Sequence, residues 1–240
     1  MPSKISGYKG NQKKLEMAWG YLMIAPTMLG LLILNIFPIF QTFYLSFTKT
    51  GAFGKSSFIG IQNYVDVLKD KLVMQSFINT FKYTILVVPL GVFLSLIVAV
   101  LLNSKIKGKT IYRTLFFLPV VSAPAAVAMV WRWMFNSKYG LINNFLNTIG
   151  LKGPEWLLQP NSAMIAIVIV GIWSMIGYNM IILLAGLQEI SPTYYEAAEI
   201  DGAGPVTKFF SITLPLVTPT LFFVVITTLI GALQVFDVIY

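Results

Sequence analysis

No histidine and no cysteine occurs in the 240 residues. Thiolate or imidazole zinc sites, a cysteine nucleophile, a Ser-His-Asp triad and a disulfide framework are all excluded together, and most hydrolytic and redox chemistry goes with them. Two short runs, Gly54-Lys55-Ser56 and Gly108-Lys109-Thr110, imitate the end of the phosphate-binding pattern G-x-x-x-x-G-K-[ST]. Both lack its first glycine, which Lys49 and Asn103 replace, and neither run sits between a strand and a helix. No ATP site, cofactor or metal centre is therefore expected in this chain, and no catalytic residue is assigned. Ion-coupled transport would need ionisable groups at membrane depth. Lys82 and Arg132 lie near the ends of apolar stretches, where long side chains reach the interface, and Asp237 is also near an end. Any work against a gradient is thus expected to draw its energy from a partner. The polar chemistry that remains is that of binding, and its most informative segment carries the acidic residues Glu189, Glu196, Glu199 and Asp201.

The elements around that cluster follow from composition. Apolar residues make up 57% of the chain and charged residues 11%, against about a quarter charged in a soluble domain. Five charge-free windows, 17–48, 83–103, 114–131, 156–188 and 209–236, each approach or exceed the ~20 residues that cross a hydrocarbon core. The predicted fold is all-α, a polytopic transmembrane bundle of five spans. The two long windows must include loop, and their spans are placed at 17–39 and 163–187. Residues 1–16, with Lys4, Lys9, Lys13 and Lys14, read as a basic cytoplasmic tail, followed by a membrane domain over 17–240. The first window is a retained anchor and not a cleavable signal, because its apolar stretch is too long and leads into Pro38 and Phe40. Counting spans from an inner N-terminus puts the loop with Lys105, Lys107, Lys109 and Arg113 inside. The segments 49–75 and 136–160 then face out, although the first carries Lys49, Lys55, Lys69 and Lys71, and the loop 188–211 faces in. The net charge of +8 is then that of cytoplasmic loops, and no nucleic-acid partner is expected. Pro26, Pro89, Gly91, Pro119, Pro124, Gly171, Gly177, Pro215 and Pro219 fall within the spans and are predicted to serve helix packing more than a kinked path.

The segment 191–205 carries helix punctuation at both ends. Ser191 is a good N-cap, Pro192 suits the first helical position, and Gly202 accepts the left-handed conformation that ends a helix. Pro205 opens a second short helix leading into the fifth span. At helical spacing Tyr194, Ala197 or Ala198, and Asp201 share a face. A helix lying on an anionic leaflet favours lysine and arginine. This one carries Glu196, Glu199 and Asp201 with only Lys208 after them, a sign that suits a basic protein groove better than lipid.

The same residues match E-A-A-x3-G-x9-I-x-L-P, the cytoplasmic-loop signature of the integral permease subunits of bacterial ABC importers. Glu196, Ala197, Ala198, Gly202, Ile212, Leu214 and Pro215 occupy its seven fixed positions. Phe58-Ile59-Gly60-Ile61-Gln62-Asn63-Tyr64, Asn79-Thr80, Phe116-Phe117-Leu118-Pro119, Leu184-Ala185-Gly186-Leu187-Gln188 and Val235-Phe236-Asp237 resemble the sugar-importer branch. The resemblance runs from about residue 47 to 240. It implies a multi-pass protein of the bacterial inner membrane that is itself no enzyme. It also implies cytoplasmic ABC ATPase subunits, a second permease subunit and an extracytoplasmic solute-binding protein as partners, with lipid around the spans. Glu196, Ala197, Ala198 and Gly202 would form the core of an ATPase-coupling element, supported by Asp201, Ile212, Leu214 and Pro215. The family's usual subunit has a sixth helix, so this chain reads as a fragment of it.

A sugar or related small carbohydrate is the expected solute. Glycerol phosphate or a polyol is the alternative, and further off an energy-independent channel or scaffold. Asn79, Ser174, Tyr178, Asn179 and Gln234 are the candidates for the solute path, although hydrogen bonding between helices explains them equally well. Trp131, Trp133 and Trp156 are read as interfacial anchors rather than a sugar-stacking platform.

Overall fold

The computed structural model describes residues 5–51, 56–104 and 106–235. Lys4, Gly54, Lys55, Lys105, Phe236 and Asp237, named above, lie outside them. Two compact units are present, Met1–Gln75 and Ser76–Tyr240.

In the first unit the backbone is helical from Ile5, so helix runs unbroken through the expected tail boundary at Met17. Helix α1, Ile5–Leu31, passes through a π-turn at Leu32–Ile36 into α2, Phe37–Leu45. The π-turn has a cause in Pro38, which has no amide donor and whose ring collides with the carbonyl four residues back. A wider turn, in which Phe37 donates to the Leu32 carbonyl, absorbs that misfit without ending the helix. The rod therefore continues to Leu45, beyond the residue 39 at which the span was placed. Strands β1, Thr48–Thr50, and β2, Ser56–Phe58, form an antiparallel hairpin ahead of α3, Gln62–Lys69. Two side chains from the run 58–64 secure it. Asn63 donates to the Ser46 and Thr48 carbonyls at 2.8 and 3.0 Å, and the Tyr64 hydroxyl lies 2.7 Å from that of Ser46.

The second unit contains most of α4, Lys71–Asn103, then α5, Lys109–Val121; α6, Pro124–Met134; α7, Leu141–Thr148; and α8, Pro160–Gln188. After these come α9, Pro192–Ile200; α10, Pro205–Lys208; a π-turn at Phe209–Thr213; and α11, Leu214–Leu233. Among the described residues four helices are long and apolar enough to cross a membrane, or five if one bent pair counts as a span. That pair is the expected third span. The window 114–131 is not one helix, because α5 and α6 meet at 101°. Pro124 disfavours helical geometry in the residue before it, and Ser122 and Ala123 are accordingly extended.

Helix α8 is the hub. Lipid supplies no hydrophobic drive between helices, so small residues and close van der Waals contact must hold them. Gly171 faces Tyr83 and Val87 of α4, Gly177 lies against the Phe116 carbonyl of α5, and Gly186 lies against Thr220 of α11. The glycines are thus packing sites, and Val87, Leu96, Met180, Leu183, Val217 and Val224 fill the core between these helices. Trp131 and Trp156 both pack around buried Phe135, while Trp133 is exposed. Asn143 ties that end together. It donates to the Ser137 and Pro154 carbonyls and accepts from the Trp156 indole at 2.7 Å.

Candidate functional site

The acidic helix α9 forms as its punctuation predicts. Ser191 is extended, Pro192 opens the helix, and Asp201 ends it. Ser191 departs in one detail, since its hydroxyl meets that of Thr193 at 2.9 Å and caps no backbone amide. At the other end Gly202 is left-handed, with φ of 77°. Its amide donates to the Glu199 carbonyl at 3.1 Å and the Ala203 amide to the Ala198 carbonyl at 2.8 Å. This paired closure requires the left-handed residue. Three residues after Gly202, Pro205 starts α10, which continues through the π-turn into α11 as one helical rod of 29 residues. Here too the π-turn precedes a proline, Pro215, with Leu214 donating to the Phe209 carbonyl. The backbone link between the docking candidate and the fifth span is therefore the short turn 201–204.

Burial divides α9 into two faces. Glu196, Ala197, Ile200 and Asp201 are exposed, while Tyr195 and Ala198 are half-buried. The structure thus resolves one open choice: Ala197 joins Tyr194 and Asp201 on the outer face, and Ala198 turns inward. Ile200, 88% exposed, was missed by sequence reasoning. Its spacing of four from Glu196 and three from Ala197 is the signal that places it on their face. Ile212 and Leu214 are half-buried on the rod, and Pro215 is exposed beside the π-turn.

Two side-chain ties join α9 to the rod. The Lys208 ammonium donates to a Glu199 carboxylate oxygen at 2.6 Å. The Tyr195 and Thr213 hydroxyls meet at 2.9 Å. Lys208 holds the Glu199 carboxyl below the usual glutamate range, first by that hydrogen bond and then by its charge. A carboxyl lowered in this way keeps the pair at neutral pH and loses it as pH falls through the lowered value, beneath the ordinary value of about 4.3.

The solute-path candidates are scattered in character. Asn179 is buried on α8 and donates across to Thr228 of α11 at 3.0 Å. Ser174 is half-buried and Tyr178 exposed on the same helix, while Asn79 and Gln234 are exposed. A cleft of about 260 Å³ lies between α5 and α8, lined by Tyr112, Leu115, Phe116, Pro119, Trp173 and Ile176, and is almost wholly apolar. Asn179→Leu is expected to lower stability by about 1 kcal/mol in a detergent unfolding assay while leaving uptake intact. Abolished uptake at unchanged stability would instead make Asn179 a solute ligand.

The family described as binding-protein-dependent transport system inner membrane component matches residues 72–240. The probable ABC transporter permease protein YesP of Bacillus subtilis is 38% identical over 224 residues, 92% of this chain and 72% of YesP. The trehalose/maltose transport system permease protein MalF of Thermococcus litoralis is 38% identical over 229 residues, 95% of this chain and 78% of MalF. The sn-glycerol-3-phosphate transport system permease protein UgpA of Salmonella typhimurium is 37% identical over 215 residues, 88% of this chain and 72% of UgpA. Among solved structures, a bacterial ABC transporter involved in the import of the acidic polysaccharide alginate matches with a TM-score of 0.80 at 25% identity, over 93% of this chain and 77% of that one. A bacterial alginate ABC transporter in complex with alginate pentasaccharide-bound periplasmic protein matches with a TM-score of 0.79 at 25% identity, over 93% and 75%.

Proposed function

This chain belongs to the binding-protein-dependent transport system inner membrane components, the permeases of ABC importers, and from that premise we propose that it helps form the membrane path for a sugar or related small carbohydrate. It pairs with a second permease subunit, receives solute from an extracytoplasmic binding protein and takes its energy from cytoplasmic ATPases. The observation that carries the reading is the exposed face of α9, where Glu196, Ala197, Ile200 and Asp201 stand free of the chain's own core. An acidic rim around small and apolar residues suits a basic protein groove. Closure of the ATPases would push on α9 and, through the rod, move the fifth span between inward-facing and outward-facing arrangements.

Orientation follows from the same reading. With both the N-terminus and α9 in the cytoplasm, an even number of crossings separates them, and the bent pair α5–α6 then carries the chain across the membrane. The basic residues Lys107, Lys109 and Arg113 beside α5 are then inside, as positive charge favours.

The relatives MalF and UgpA support two solute classes, and family membership sets aside the unpowered channel or scaffold. Uptake by the full-length transporter with its ATPases and binding protein separates the two. A carbohydrate importer accumulates labelled disaccharide only with ATP, and unlabelled sugar competes while sn-glycerol 3-phosphate does not. Competition by glycerol phosphate alone would establish the second solute class.

A further inference from the structure

Between α9 and α10 lie only residues 201–204, two of them glycines. Glycine gives the backbone more conformational freedom than any other residue, so a push on α9 would be spent in bending this turn unless something stiffens it. The two ties described above span it. Tyr195 and Glu199 are four residues apart on α9, hence on one face a single turn apart. Their partners, Thr213 and Lys208, are five apart across the π-turn of the rod. One contact would leave α9 free to swivel about it, whereas two separated contacts fix both its angle and its roll.

We propose that the Glu199–Lys208 ion pair and the Tyr195–Thr213 hydrogen bond form a two-point strut that makes α9 and the fifth span one lever. These four are positioning residues: they touch the chain's own rod, while the outer face of the same helix meets the partner. The Lys208 side chain is only 17% exposed and Glu199 69% exposed, so the packed member of the pair is the lysine. Thr213 is buried, and its hydroxyl also reaches back to the Lys208 carbonyl at 3.4 Å, linking the two contact points on the rod. The strut rests on the ATPase-docking reading and adds to it. Docking needs the outer face, and transmission needs the inner one.

The test uses the complete transporter, with its ATPases and binding protein, reconstituted in vesicles and read as solute imported per ATP hydrolysed. Glu199→Lys and Lys208→Glu are each expected to lower that ratio at least fivefold while subunit assembly is unchanged, and the exchanged pair together to recover at least half of it. Tyr195→Phe keeps the ring and removes only the hydroxyl, so it guards against misfolding in the charge variants. Its expected effect is a two- to threefold loss of the same ratio. An unchanged ratio in all three single variants, or a charge exchange no better than its parents, overturns the strut. A thiol at Ala197→Cys in each variant reports docking separately. Capture of the ATPase alongside normal transport would sink the strut and leave docking standing, whereas no capture in any background would sink both.

Discussion

Gly177→Ala is expected to be among the most damaging single-methyl additions to this chain. A Cβ there would run into the Phe116 carbonyl carbon and oxygen and the Phe117 Cα. These are backbone atoms of a packed helix, so no side-chain rotation relieves the clash and α5 must move away from α8. Overpacking of this kind costs typically 1–3 kcal/mol, and a contact made entirely with backbone belongs at the upper end, about 3 kcal/mol. The expected result is a lower unfolding midpoint in detergent and reduced yield of assembled transporter. Gly20→Ala, also inside a helix but with nothing within 4 Å of the added carbon, is the matched control, with a midpoint no lower than that of the parent. Equal midpoints for the two variants would show that α5 and α8 are not in the contact described.

Gly202→Val should cost uptake tenfold or more through a different physical route. Nothing lies within 4 Å of a Cβ at this position, so space is not the obstacle. The obstacle is φ of 77°, a left-handed geometry that costs an L-residue roughly 1–2 kcal/mol and a β-branched one more. The chain would escape by unwinding the turn, breaking the Ala203 and Gly202 amide closures and misdirecting α9 relative to the rod. Gly202→Asn tolerates left-handed geometry better and is expected to retain most uptake. Measured side by side at equal expression, a valine variant as active as the asparagine one would show that the turn does not set the position of α9.

What was legible in the sequence tracks how local its cause is. The limits of α9 were readable because Ser191, Pro192 and Gly202 act on their own backbone, and the all-α class followed from uninterrupted apolar windows. The permease family was readable because seven fixed positions lie within one short segment. The prolines were visible, but their consequences were not. Pro38 and Pro215 each produce a π-turn that keeps the rod continuous, whereas Pro124 ends one helix and starts another at 101°. The difference lies in the residues before each proline, helical at Ile36 and Phe37 but extended at Ser122 and Ala123.

Contacts made through the fold were the least legible. Tyr195 and Thr213 are 18 positions apart, and Glu199 and Lys208 nine apart across a turn, beyond the three- and four-residue spacings by which helix neighbours are recognised. Asn179 was a solute candidate in sequence because a buried amide has several chemical uses. Its donation to Thr228 supplies the interhelical one. The packing of Trp131 and Trp156 over Phe135 was likewise not visible in their spacing.

The docking role of α9 is tested most directly by a thiol on its outer face, since the chain carries no native cysteine. Ala197 is the position to use, being exposed where Ala198 is half-buried. In native membranes holding the complete transporter, Ala197→Cys is predicted to cross-link to an ATP-hydrolysing subunit, with a yield that changes when nucleotide is added. It is also predicted to stay unlabelled by a membrane-impermeant maleimide applied from outside. Labelling from outside, or cross-linking to lipid alone, would contradict both the cytoplasmic placement of the helix and its coupling to an ATPase.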